Sequence, residues 1–224
     1  TDLSPRMTGR RLRCSAMLPD QIREEILAME KRDLEETERL AKEGELEKCG
    51  YHPLLRKLHG ENRERLCEIM ESYGLPTTEN AGDAAARAAW RIVQHSIGAP
   101  DFMRRCLRLY VERKEEVPPA FCAYLGDRIA FYERRPQVYG TQFDYDLNGK
   151  MSVWWLKDEG AVDALRAAAG LNPLREARER FGKYPEISKE EALAKRGEQE
   201  AWLMETGWCT AEDIGKYYAA RGRI

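Results

Sequence analysis

The chain has 224 residues, 42% of them hydrophobic and 34% charged, and its 37 Lys and Arg against 39 Asp and Glu leave a net charge of -2. With a mean hydropathy of -0.68, that balance describes a heavily charged surface with no global pull toward nucleic acid or membrane. No stretch approaches the roughly 20 apolar residues of a membrane-spanning helix, and the length is enough to bury a sizeable core.

Thr1 to Met17 carries Arg6, Arg10, Arg11 and Arg13 without an apolar run, which predicts a flexible segment over residues 1–18 rather than a secretory signal. A long helix is expected from Pro19 to Lys48, with Leu27, Leu34 and Ala41 seven apart and Ile22, Ile26 and Met29 at helical spacing. Glu35 with Arg39 and Glu38 with Lys42 stand four apart in the favourable order, so this charge run reads as a solvated face or a protein-binding one. A second helix runs from Pro53 to about Tyr73 and stops at Gly74-Leu-Pro76.

The segment Asn80 to Ile97 is small nearly all round, with Gly82 and Ala84, Ala85, Ala86, Ala88 and Ala89, and predicts a central helix that neighbours approach closely. Gln94 and His95 fall at its end. Pro100-Asp101 opens another helix, and Pro118-Pro119 a short one through Leu125. From Asp127 to Leu156 the apolar period becomes two, and Asn148-Gly149 signals a tight hairpin. The expected meander has strands at Arg128–Tyr132, Gln137–Tyr145 and Met151–Leu156, with Gln142 opposite Trp155 and Phe143 opposite Trp154.

Helices resume at Val162–Ala169, Pro173–Phe181, Lys189–Thr206 and Ala211–Arg221. The fold class is therefore mainly α with a small three-stranded antiparallel β-meander. One domain is expected over residues 19–184, with a helical extension over 185–224 packed on it.

Strand alternation would place Arg128, Gln137, Tyr139 and Thr141 on one face and Ile129, Val138, Gln142 and Trp155 on the other. The first face is the candidate site and the second the candidate core. Arg128 can fork onto a carboxylate or phosphate, and Asp127 can orient Arg128 or His95. Tyr139, Thr141, Gln142, Gln137 and Gln94 supply hydroxyls and amides, while Gly140 permits close backbone approach. His95 and Asp127 are the candidate catalytic pair, with the imidazole as general acid or base. The competing reading makes His95 a core histidine, Asp127-Arg128 an ion pair and the rest a polar network holding sheet to helix.

The ordered elements Ala89-Trp-Arg-Ile-Val-Gln-His95, Ala123-Tyr-Leu-Gly-Asp-Arg128, Gln137-Val-Tyr-Gly-Thr-Gln142 and Gly170-Leu-Asn-Pro-Leu174 resemble a bacterial family known as a domain of unknown function. The resemblance spans roughly residues 74–176 and implies a shared site without naming a reaction. Arg134 stands where that family's hairpin more often has glycine.

Other chemistries lack their signatures. The three histidines, His52, His59 and His95, show no H-E-x-x-H or H-x-H spacing, so no zinc or iron centre is expected, and His52 and His59 read as surface or cap residues. No glycine-rich nucleotide loop or nucleophile elbow is present, and no cofactor is expected. The six cysteines form no C-x-x-C pair, which predicts reduced thiols in a cytoplasmic protein. The functional expectation is a pocket for a small polar or anionic ligand, serving metal-independent hydrolysis or group transfer. Its alternative is a non-catalytic module that meets a protein partner or its own copy through the 19–48 helix.

Overall fold

The computed structural model describes residues 16–46 and 50–221, so the expectations for the first residues and for the end of the 19–48 helix fall largely outside it. Among the described residues there are nine α-helices and one two-stranded sheet. No helix among them is long and apolar enough to cross a membrane.

Helix α1 (Asp20–Lys42) stops six residues short of the expected end, as the chain turns at Glu43 and Gly44. Its buried ridge is Ile26, Asp33 and Leu40. These are the seven-residue neighbours of Leu27, Leu34 and Ala41, displaced by one position, and the displacement puts an aspartate in the middle of an apolar stripe. Helix α2 (Pro53–Tyr73) begins at His52, whose ring Nδ1 accepts the Leu54 N–H as a cap, and buries Leu55, His59, Asn62 and Leu66 on one side.

Helix α3 (Thr78–His95) starts in a reciprocal cap in which the Asn80 side chain accepts the Thr77 N–H. Ala81, Ala85, Ala88 and Ala89 are buried, which lets α1, α2, α4 (Pro100–Glu112) and α5 (Pro119–Tyr132) all pack on it, as the small residues predicted. Leu66, Ile69, Ile92, Met103, Leu125 and Ile129 fill the core between these helices. Each fully buried aliphatic side chain contributes about 2 kcal/mol.

The expected first strand does not form. Arg128 to Tyr132 is the last turn of α5, so the sheet has two strands, β1 (Phe143–Tyr145) and β2 (Met151–Val153), not three. Helix α5 is buried on nearly every side, at Phe121, Ala123, Leu125, Asp127, Ile129, Ala130 and Phe131, and so shows no 3.6-residue polar period to read. Arg134 then takes φ 56, a left-handed conformation, with the Arg135 N–H returning to the Ala130 carbonyl. The position that wants glycine is thus a helix C-terminal cap, not a hairpin turn. The Arg134 guanidinium is buried against the rings of Phe131 and Trp154 and donates to Gln199 Oε1 at 2.6 Å.

The hairpin register also differs by one residue. Phe143 faces Val153 and Tyr145 faces Met151, where an Asn148-Gly149 two-residue turn would have set Phe143 opposite Trp154. Asp146 is the cause: its carboxylate accepts the N–H groups of Asn148 and Lys150 and the Ser152 hydroxyl. The loop becomes Leu147-Asn-Gly149, in which only Gly149 has positive φ. A one-residue slip exchanges the faces of every side chain that follows.

Past the hairpin come α6 (Val162–Ala168), α7 (Leu174–Phe181), α8 (Lys189–Thr206) and α9 (Ala211–Arg221). Leu203 of α8 and Trp208 join the main core, while Tyr217 of α9 stacks on Trp154.

Candidate functional site

Two buried aspartates organise the polar residues, and they do so differently. Asp127 receives the backbone N–H groups of Val138 at 2.8 Å, Tyr139 at 3.1 Å and Thr141 at 3.0 Å, and the Thr141 hydroxyl at 3.1 Å. It anchors residues 137–142, which form a folded loop with no strand beyond a single bridge at Gln137. The Gln137 amide closes the loop from within, donating to the Gln142 and Trp154 carbonyls and accepting the Gln142 N–H. From the far side Arg166 donates to the Tyr139 carbonyl at 2.6 Å. Gly140 has φ 65, and a Cβ there would meet Leu174 Cδ1 at 2.8 Å, so its close approach is to Leu174.

The expected common face of Arg128, Gln137, Tyr139 and Thr141 is therefore absent, because Arg128 is helical and the other three belong to this loop. Arg128 donates to the Gln94 carbonyl at 2.8 Å, and the Gln94 Nε2 is buried without a partner among the described residues. Asp127 orients neither Arg128 nor His95. Gln142 donates to the Thr141 hydroxyl at 3.0 Å. Burial pushes the Asp127 carboxyl above its ordinary pKa, against the pull of the Val138, Thr141 and Tyr139 hydrogen bonds.

Asp33 has no backbone donors of this kind. Its Oδ1 lies 3.0 Å from His59 Nε2 and its Oδ2 2.6 Å from His95 Nδ1, with the Thr37 hydroxyl at 3.3 Å. Three helices supply the three groups: α1 gives Asp33, α2 His59 and α3 His95. His59 is buried, which corrects the expectation of a surface or cap residue, and His95 is partly exposed. The Tyr51 hydroxyl sits 2.8 Å from His59 Nδ1 and 3.4 Å from the His95 carbonyl. Burial holds the Tyr51 hydroxyl in its protonated form, and the Asp33 carboxylate can only accept, so His59 donates to it from Nε2. Burial opposes ionisation of Asp33, but the hydrogen bonds from His59 and His95 outweigh it and hold the carboxyl well below the usual range.

His59 and Tyr51 also line a cavity of about 470 Å³. Part of its wall is aromatic, where Trp202 meets Tyr51 and Tyr132 edge-on at 5.9 Å each. Another part is polar, with Asp144, Lys195, Arg196 and Gln199. Arg196 is fixed by Asp144 at 3.2 Å and the Tyr145 carbonyl at 2.6 Å.

The ligand atoms of Asp33, His59 and His95 all lie within 4.8 Å of one another, so the three are able to hold a metal ion. A family model described as a family of unknown function, DUF6624, matches residues 19–182. The chain belongs to that family. The DUF6624 match reaches further toward the N-terminus than the residues 74–176 of the motif resemblance, and so includes Asp33 and His59. No curated protein and no solved structure matches the chain.

Sequence reading named His95 but missed Asp33, His59, Tyr51 and Trp202. The partners of Asp33 are 26 and 62 positions away, beyond any short motif. A usable signal did exist: Asp33 falls between Ile26 and Leu40 at seven-residue spacing, and His59 stands four after Leu55 and seven before Leu66. A charge or an imidazole inside an apolar stripe is the informative exception.

Proposed function

We propose that this chain binds a small polar or anionic ligand in the cavity beside His59 and acts on it by acid–base chemistry, in hydrolysis or group transfer. The observation that carries the reading is the buried Asp33 carboxylate bridging two imidazoles at 3.0 and 2.6 Å, with one of them forming cavity wall. Asp33 orients His95 through Nδ1, which leaves Nε2 as the free edge of a ring that stands outside the cavity lining. His59 and Tyr51 form a second proton path ending on the same carboxylate. Lys195 and Arg196, ion-paired with Glu191 and Asp144, stand in the cavity wall with Asp144 and Glu198 and favour a polar group that can exchange into those pairs, while the Tyr51, Tyr132 and Trp202 rings favour an apolar or planar body beside it. The loop anchored on Asp127 is scaffold in this reading.

A panel of small carboxylates and phosphates, scored by thermal shift and by quenching of Trp202 fluorescence, tests it. At least one compound should raise the melting temperature of wild-type protein and lose its effect in Lys195→Ala. A panel without any stabilising compound defeats the pocket reading.

A second reading rests on α1, where Leu27 and Leu34 are 37% and 40% exposed, seven residues apart on one side of the helix. Such a pair suits contact with a protein partner or a second copy, with the Asp33 network purely structural. It predicts a dimer or complex in sedimentation that Leu27→Ser with Leu34→Ser dissolves, whereas a monomer unaffected by that double change removes it.

A further inference from the structure

The partners of Asp33 set it apart from the other acids of α1. Asp33 is 1% exposed, yet no Lys or Arg among the described residues pairs with it, and its ion-pair partners are the two imidazoles alone. The neighbouring acids on α1 are served differently, Glu25 by Arg65 and Glu30 by Arg91, each at 2.6 Å. A buried carboxylate flanked by two imidazole nitrogens, with one ligand atom from each residue within 4.8 Å of the others, is also a set of metal ligands. The geometry points to a metal site: we propose that Asp33, His59 and His95 hold one divalent transition metal, zinc or iron(II).

The donor set fits. Two imidazole nitrogens and one carboxylate oxygen, with positions left for water or substrate, are the ligands that catalytic zinc and non-haem iron(II) centres use. Metal–ligand bonds of about 2.0–2.2 Å place neighbouring ligand atoms roughly 3.3 Å apart in a tetrahedral site. Here His59 Nε2 lies 3.0 Å from Asp33 Oδ1 and His95 Nδ1 2.6 Å from the other oxygen, Oδ2, while one ligand atom from each residue falls within 4.8 Å of the other two, so modest side-chain shifts would close the set on a metal. The protons also have somewhere to go. His59 gives up the proton on Nε2 and carries one on Nδ1, donating it to the Tyr51 oxygen at 2.8 Å. Tyr51 then turns its own hydrogen to the His95 carbonyl at 3.4 Å. His95, whose ring is partly exposed, moves its proton from Nδ1 to Nε2. Both imidazoles remain neutral, and His59 gains the outer hydrogen-bond partner that metal-bound histidines usually have. Of the three ligands only His59 lines the cavity, so the metal would stand behind the His59 ring.

This inference takes its location from the pocket reading but does not need it. The test is titration of chelator-treated full-length protein with Zn²⁺ and with Co²⁺, following heat and the visible cobalt spectrum. One equivalent should bind per chain, with a tetrahedral or five-coordinate cobalt spectrum. His95→Gln, at a partly exposed position, should stay folded and lose at least 100-fold in affinity, and Tyr51→Phe should lose about 10-fold or more. Should Asp33→Asn fail to fold, these two variants and the imidazole NMR shifts of wild-type protein on adding Zn²⁺ still decide. Sub-stoichiometric binding, or binding that His95→Gln leaves unchanged, overturns the metal site. If that happens while the carboxylate and phosphate panel still stabilises the protein, the pocket reading survives. Stoichiometric metal with no stabilising compound leaves the reverse outcome.

Discussion

Asp33 and Asp127 are both 1% exposed, and burial alone cannot tell them apart. Their partners can. Asp127 is saturated by three backbone N–H groups and a hydroxyl from one loop, all of which exist only because the loop is folded around it. Asp33 is met by two imidazoles from two other helices, side chains of the kind that ligate metals. A carboxylate that organises backbone holds a fold together. In the function proposed above, one that organises imidazoles beside a cavity serves chemistry.

The largest effect that sharpens this contrast should come from Asp127→Ala, which leaves three N–H groups and the Thr141 hydroxyl without an acceptor. A loss of about 4 kcal/mol is expected, read as a lower denaturant midpoint at unchanged slope. Next is Asp33→Asn, which keeps the shape but removes the charged acceptor of two hydrogen bonds, for a loss of about 2–3 kcal/mol in the same measurement. If Asp33→Asn were the more damaging of the two, the division into centre and scaffold would be blurred. Gly140→Ala should cost about 2 kcal/mol, from its φ of 65 and the 2.8 Å approach to Leu174, and should leave the Asp33 hydrogen bonds intact in imidazole NMR spectra.

The smallest effect is the pH signature, and its signs are opposite at the two sites. The Asp33 carboxyl is lowered in the folded chain, so its contribution is present above the ordinary carboxylate pKa of about 3.9 and is lost as pH falls below it. The Asp127 carboxyl is raised, so its contribution is present below about 3.9 and declines as pH rises through the folded value. Between pH 3 and 6, the stability of wild type relative to Asp33→Asn should therefore rise, and relative to Asp127→Asn should fall. Equal slopes would contradict the assignment of partners.

Much of the helical frame was legible because its signals are local. Pro53 with Gly74, Pro100, and the run of alanines before Trp90 marked helices that the structure contains. The sheet was misread where burial hid the period: Ile129 and Phe131 alternate like a strand, yet lie on a helix wrapped on all sides. Asn148-Gly149 promised a two-residue turn, and Asp146 overrode it with its own side-chain hydrogen bonds. Gln137, Thr141 and Gln142 read in the sequence as a candidate site because glutamines and a glycine are poor core material, yet Gln137 is fully buried. What they surround is the Asp127 carboxylate. His95 was singled out, but its partner Asp33 lies 62 positions away and is joined to it only by how α1 packs on α3.

The most direct test of the division is the carboxylate and phosphate panel run side by side on folded Asp33→Asn and Asp127→Asn. The account predicts that compounds stabilising wild-type protein still stabilise Asp127→Asn and no longer stabilise Asp33→Asn. Compounds that fail on Asp127→Asn but still stabilise Asp33→Asn would contradict it.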